Sequence, residues 1–301
     1  MSLPADPVEW WQVSATVDED RAEPLSDMFM ELGAVSAGLE DAGDQPLFEP
    51  KPGETPLWRA TRVTALFEAG ACDQDILRSV VTERFADALR DWRCDVLQDQ
   101  VWERAWMEHF KPMQFGRRLW ICPTGYEPPE PSAVNVLLDP GLAFGTGTHP
   151  TTALCLEWLD SLDLQARTVI DYGCGSGILA VAALKLGAGS AFGVDIDPQA
   201  LTASADNARK NGVERTLKLG YPADLPSAPA DVVVANILAG PLVELAPDIL
   251  RRVRSGGLLA LSGLLAAQAA DVQKTYEAVI DFAPVRLREG WALLSGTART
   301  A

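Results

Sequence analysis

Thr168-Val-Ile-Asp-Tyr-Gly-Cys-Gly-Ser-Gly177 is the stretch on which the reading of the fold turns. A short apolar strand, TVID, runs straight into a glycine-rich turn, and an apolar helix is predicted to follow over 178–186. Glycines there let the backbone turn tightly and approach a ligand closely. Taken alone, a glycine-rich loop is weak evidence, since an ordinary tight turn can carry the same residues. The flanking sequence decides between the two. AFGVDI (191–196), a helix over 198–211, DVVVAN (231–236), a helix over 241–254 carrying Leu242, Leu245, Ile249 and Val253, and GLLALS (257–262) follow in strict alternation. Continuous apolar strands between helices imply a parallel sheet buried on both faces. The expected architecture is a doubly wound α/β domain with its ligand at the carboxyl ends of the strands.

Polar residues stand at those strand ends. Asp171 closes the first strand, where a carboxylate suits a positively charged ligand group better than a pyrophosphate. Asp195 closes the next strand, 22 residues after Gly173, where an acid accepts hydrogen bonds from ribose hydroxyls. Asp197 competes for that role. It precedes Pro198 and a helix, so it reads as an N-cap with proline at the first helical position. Asn236 closes DVVVAN. It is either a turn-former or an acceptor whose side chain, with neighbouring carbonyls, receives the N–H bonds of an incoming amine. His149 lies in a tight loop before Pro150, and a structural role is preferred over that of a base.

The first hundred residues have a different pattern. Trp10–Val17 alternates as a half-buried strand, and Ala22, Leu25, Met28, Phe29 and Leu32 fall at helical spacing before Gly33. Val35–Glu40 and Leu57–Phe67 read as strands around a loop rich in Pro and Gly. A second helix face carries Ile76, Leu77, Val80, Val81, Phe85, Ala88 and Leu89, and Cys94–Leu97 closes the sheet. The order β-α-β-β-α-β is that of a ferredoxin-like domain. Residues 101–135 read as an interdomain connector. They hold a short helix with Trp102, Trp106, His109 and Phe110, taken as packing, then the strand RRLWICP, then a Pro-rich run over 123–132 that would let domains reorient.

The 301 residues carry 25 Lys and Arg against 42 Asp and Glu, a net charge of −17. Residues 1–100 hold 8 basic and 21 acidic side chains, net −13, leaving 17 and 21, net −4, for 101–301. This balance disfavours binding to phosphate backbones or to an anionic membrane surface. It offers either solubility or an acidic face for a basic partner. No apolar run approaches ~18 residues, and the start lacks the pattern of a secretory signal. Five cysteines without a CxxC pair fit thiols in a reducing cytoplasm, and no His/Cys cluster calls for a metal.

DYGCGSG (171–177) with Asp195 resembles the S-adenosylmethionine signature of the Rossmann-like methyltransferases. A nicotinamide dehydrogenase would more often show GxGxxG without Asp171. Two segments narrow the resemblance. Asn236-Ile-Leu-Ala stands where amine-methylating enzymes carry an Asn-Pro-Pro-Tyr-like motif, and Leu138-Asp-Pro-Gly-Leu-Ala-Phe-Gly-Thr-Gly-Thr-His-Pro-Thr-Thr152 lies upstream. Together with LFEPKPGETPLW and RRLWICP they resemble the ribosomal protein methyltransferase A family over essentially the whole chain, less closely in the first ~100 residues.

The resemblance implies a ferredoxin-like substrate-recognition domain over 1–100, the connector over 101–135 and a Rossmann-like S-adenosylmethionine-dependent methyltransferase domain over 136–301. It implies that Thr152, Gly173, Asp195 and Asn236 contact the cofactor. The reaction implied is N-methylation of lysine side chains and the N-terminal amine of ribosomal large-subunit protein 11, in the cytoplasm. Cys174 needs no nucleophilic role, since methyl transfer to an amine has no covalent enzyme step. Residues 143–152, with Gly145 and Gly147, would fold over the bound cofactor. Two alternatives remain at this point: an RNA methyltransferase, disfavoured by the net charge of residues 1–100, and a non-catalytic cofactor-binding partner of the ribosome, disfavoured by the glycine loop, Asp195 and Asn236.

Overall fold

A computed structural model describes residues 9–43, 45, 56–70, 73–98, 111–138 and 149–300. The chain forms two compact units, Met1–Ala105 and Trp106–Ala301. The aromatic helix over 101–110, most of LFEPKPGETPLW, and 143–148 of the expected cofactor loop lie outside the described residues.

In the first unit, strands β1 (Glu9–Asp18), β2 (Ser36–Asp41), β3 (Ala60–Glu68) and β4 (Arg90–Gln98) form an antiparallel sheet of order β2-β3-β1-β4. Helices α1 (Glu19–Glu31) and α2 (Gln74–Phe85) connect β1 to β2 and β3 to β4. The period-two pattern works as expected: Val13, Ala15 and Val17 on β1 and Val63, Ala65 and Phe67 on β3 are fully buried. They meet Ala22, Leu25, Met28 and Phe29 of α1 and Leu77, Val81 and Phe85 of α2 in one core. Phe29 stands edge-on to Phe67 with ring centroids 6.1 Å apart. Burying either ring contributes roughly 1.5–3 kcal/mol. Asp73 caps α2 by accepting the Asp75 and Ile76 N–H groups. This is the expected ferredoxin-like arrangement.

The second unit is built on an eight-stranded sheet. Its order is β10 (Leu217–Gly220), β9 (Ser190–Val194), β8 (Thr168–Tyr172), β11 (Ala230–Asn236), β12 (Val253–Leu265), β15 (Trp291–Ala298) and β13 (Ile280–Phe282), with β14 (Arg286–Arg288) also on β15. Strands β8 to β12 run parallel, and β15 is antiparallel to β12. Helices α3 (Pro150–Ser161), α4 (Ile178–Lys185), α5 (Pro198–Lys210), α6 (Ala239–Glu244), α7 (Ala246–Arg252) and α8 (Ala269–Tyr276) pack with the sheet into two apolar clusters. The strand order reverses direction at β8, which has β9 on one side and β11 on the other. The ligand crevice of an open parallel sheet lies at such a switch.

Two expectations change. The helix read over 241–254 is two short helices, broken at Leu245, and Val253 already begins β12. Pro247 lies at the second position of α7 and has no N–H to give Val243, so the ladder of helical bonds is interrupted there. The stretch read as a connector is also not all linker. Residues β5 (Met113–Phe115), β6 (Leu119–Cys122) and β7 (Val134–Leu137) form a three-stranded sheet within the second unit. Phe115, Leu119, Ile121 and Val136 share a core with Leu156 and Leu159 of α3. Asp160, 6% exposed, accepts the Arg117 N–H at 2.6 Å and the Arg118 Nε at 3.2 Å. Gly116 has φ +70°, and a Cβ there would collide with the Asp160 side chain. The Pro-rich run over 123–132 therefore joins β6 to β7 rather than one unit to the other.

Candidate active site

The glycine loop leaves β8 and enters α4 through three left-handed residues, Gly173 (φ +78°), Gly175 (φ +54°) and Gly177 (φ +75°). The N–H groups of Gly173 and Cys174 both donate to the Val194 carbonyl, at 2.8 and 2.9 Å, which fixes the loop to the end of β9. A Cβ at Gly177 would come within 2.7 Å of the Ser204 Oγ, so glycine here lets α4 approach α5. The Cys174 thiol lies 3.5 Å from the same Ser204 Oγ. Burial pushes its pKa up, which favours the protonated thiol.

Asp171 is tied to the helix that follows the glycine loop. It is fully buried, and its Oδ2 accepts the Ala180 N–H at 3.0 Å. Gly177, at the N-cap of α4, has no side chain to offer the helix, and Asp171 supplies the missing acceptor from the neighbouring strand. Its Oδ1 has no hydrogen-bond partner among the described residues. Burial, with a smaller contribution from the Asp195 charge, lifts its pKa to about 7.

Asp195 takes the position expected of it. Its Oδ2 accepts the Gly175 N–H at 2.9 Å, and its Oδ1 accepts the Asp197 N–H at 3.0 Å. A carboxylate has about four acceptor positions, and these two bonds are the ones it accepts among the described residues. Asp197 is spent otherwise: as N-cap of α5 it accepts the Gln199 N–H at 2.8 Å, with Pro198 next. One residue beside them went unread. Ile196 is 82% exposed. An apolar side chain between two acids at a strand end was the available signal.

Asn236 ends β11 in register with Ser262 of β12. Its Nδ2 donates to the Thr152 Oγ1 at 3.3 Å, joining residues 84 apart in the chain. Thr152, 2% exposed, lies in the first turn of α3. His149 caps that turn. Its Nδ1 accepts the Thr151 N–H at 3.4 Å and lies 2.7 Å from the Thr151 Oγ1, and its ring meets Trp291 edge-on at 4.7 Å. Burial lowers its pKa, partly offset by Glu289, so the neutral ring that accepts from Thr151 is favoured. Ser262, fully buried, donates to the Ala292 carbonyl at 2.9 Å and lies 3.4 Å from the Thr151 carbonyl. Among the described residues, no carboxylate hydrogen-bonds Asn236 or Thr152.

The four candidate residues thus gather at the ends of β8, β9 and β11: Gly173 and Asp195 through the loop, Asn236 and Thr152 through their side chains. A parallel sheet with an antiparallel strand set against β12, a glycine loop after its first strand and an acid after its second define the Rossmann-like methyltransferases. The family model for ribosomal protein L11 methyltransferase (PrmA) matches residues 9–299. The chain belongs to that family. It is 56% identical over 293 residues to the ribosomal protein L11 methyltransferase of Methylococcus capsulatus, covering 97% of this chain and all of that one. It is 56% identical over 291 residues to that of Azotobacter vinelandii, covering 96% and 99%. Among solved structures, the ribosomal protein L11 methylase of Lactobacillus delbrueckii subsp. bulgaricus superposes with a TM-score of 0.58 at 32% identity, over 63% of this chain and 100% of that one.

Proposed function

We propose that the protein transfers methyl groups from S-adenosylmethionine to lysine side chains and the N-terminal amine of ribosomal protein L11. The observation that carries the amine reading is the Asn236 side chain, held by Thr152 at the strand end that faces the glycine loop, with no carboxylate among the described residues hydrogen-bonded to it. The residues suit the cofactor. Asp195 keeps two acceptor positions for the ribose hydroxyls, Ile196 offers an apolar face to the base, and Gly173 lets the backbone come close to the cofactor. The bound cofactor supplies an electrophilic methyl carbon on a sulfonium.

The chain's own work is to deliver a neutral amine in line with that carbon. A lysine with pKa about 10.4 must lose a proton near pH ~7, costing roughly 4–5 kcal/mol, while an α-amine near ~8 costs only about 1. Asn236, accepting through its Oδ1, orients the amine without fixing it as an ammonium, as a carboxylate would. With the cofactor bound, the amine held by Asn236 would form the new N–C bond as the C–S bond broke, the electron pair staying on sulfur. The methylated ammonium then releases its proton to solvent. Positioning supplies much of the rate.

The acidic first unit suits capture of a basic ribosomal protein, and the same charge disfavours RNA as the substrate. Incubation with methyl-labelled cofactor and separated ribosomal proteins or ribosomal RNA tests the proposal. Label entering one basic protein supports it, and label entering RNA overturns it.

A further inference from the structure

Ile237 sits where two glycines each lack a side chain. It follows Asn236 at the end of β11 and packs, partly buried, against the apolar cluster that includes Tyr172 and Leu264. Its Cγ2 methyl fills the space that a Cβ on Gly173 would need. On its other side its own peptide fills the space that a Cβ on Gly263 would need, with its carbonyl carbon 2.7 Å and its nitrogen 2.9 Å from that point. Both glycines are in the left-handed region, Gly173 at φ +78° and Gly263 at φ +88°. They come from different elements: Gly173 from the loop after β8, and Gly263 from β12, directly after the Ser262 that pairs with Asn236.

We infer that Ile237 is a positioning residue, a wedge between Gly173 and Gly263 that sets the separation of the glycine loop and the Asn236 side chain. The inference rests on the roles proposed above for Gly173 and Asn236. The wedge depends on the branch at Cβ. A Cγ2 methyl moves only with χ1, and χ1 of a β-branched residue is stiff. Leucine has the same number of carbons but branches one carbon further out, so it leaves the space beside Gly173 open to rearrangement. Valine keeps the methyl. A misplacement of about 1 Å costs on the order of 100-fold in rate when reacting groups must be aligned, so a loosened wedge acts on turnover before it acts on binding.

The test compares Ile237→Val, Ile237→Leu and Ile237→Ala in the full chain. It uses kcat and KM with ribosomal protein L11, cofactor Kd by calorimetry, and Tm. Ile237→Val should keep kcat within about twofold. Ile237→Leu should lose at least about tenfold in kcat, with cofactor Kd and KM changing less than about threefold. The wedge is overturned if Ile237→Leu turns over like the wild type, if Ile237→Val and Ile237→Leu fall together, or if kcat tracks Tm across all three. A wild type that leaves ribosomal protein L11 unmethylated overturns the substrate reading instead, so the two failures are distinguishable.

Discussion

Replacing Asp195 by alanine tests the cofactor site most directly. Its carboxylate already accepts from Gly175 at 2.9 Å and from Asp197 at 3.0 Å. Two acceptor positions remain for ribose hydroxyls, and a hydrogen bond to a charged group is worth about 1.5–3 kcal/mol. The two bonds share one carboxylate and will not add in full, so the expected loss is that of about one such bond. Asp195→Ala should therefore weaken S-adenosylmethionine by about 10- to 150-fold. The Gly175 N–H also loses its partner, which loosens the loop and adds to the same effect. Asp197→Ala is the matched control. It removes the cap of α5, costing about 1 kcal/mol of stability, and should leave the cofactor Kd within about threefold. Calorimetric titration of both variants, with melting curves to show that each is folded, gives the answer. An Asp195→Ala variant that binds the cofactor like the wild type, or an Asp197→Ala variant that loses affinity equally, refutes the assignment.

Asn236→Ala removes one hydrogen bond, to Thr152, so stability should fall by only about 0.5–1.5 kcal/mol while turnover falls on the order of 100-fold; wild-type kcat takes Asn236 out of the mechanism. Asp171 carries a pKa of about 7 in the fold against 3.8 unfolded, so the native state holds its proton more tightly. That contribution is complete below about pH 4 and is lost as pH rises through about 7. Asp171→Asn keeps an acceptor for Ala180 and does not ionise, so its Tm should gain on the wild type between about pH 4 and 8; a gap in Tm independent of pH refutes the shift. With the α-amine of the substrate blocked, kcat/KM should climb about tenfold per pH unit above neutrality, and with only the α-amine available it should level off near pH ~8. Superimposable profiles show that amine deprotonation does not set the pH dependence.

Much of this was legible in the sequence because it depends on neighbours along the chain. The alternation of Val13, Ala15 and Val17 predicts a strand with one buried face, and the Asp197-Pro198 pair predicts a helix start. The competition between Asp195 and Asp197 turns on that local grammar, and the structure shows Asp197 as the N-cap of α5. What was missed depends on contacts across the fold. Asp171 reads the same in the sequence whether or not it caps a helix, and only its 3.0 Å distance to the Ala180 N–H shows that it does. The run from Leu242 to Val253 has helical spacing, yet Pro247 and the pairing of Val253 with Ala230 override it. Residues 113–137 look like linker because of the Pro-rich run over 123–132, and the burial of their strands comes from α3, contributed by sequence further along. The meeting of Thr152 with Asn236 could not be read from spacing. The family resemblance implies only that each contacts the cofactor, and the fold brings the two side chains together.

The antiparallel β15 has a practical consequence. Trp291 pairs with Leu265 at the carboxyl end of β12, on the edge of the sheet where Asn236 stands, and Thr297 pairs with Leu258 near its other end. An eight-residue strand spans about 25 Å. The chain thus crosses the full height of the sheet and leaves it on the edge opposite the glycine loop. A purification tag, fluorophore or surface tether joined after residue 298 is carried away from the catalytic edge, and the enzyme can be immobilised there with its crevice turned toward solution.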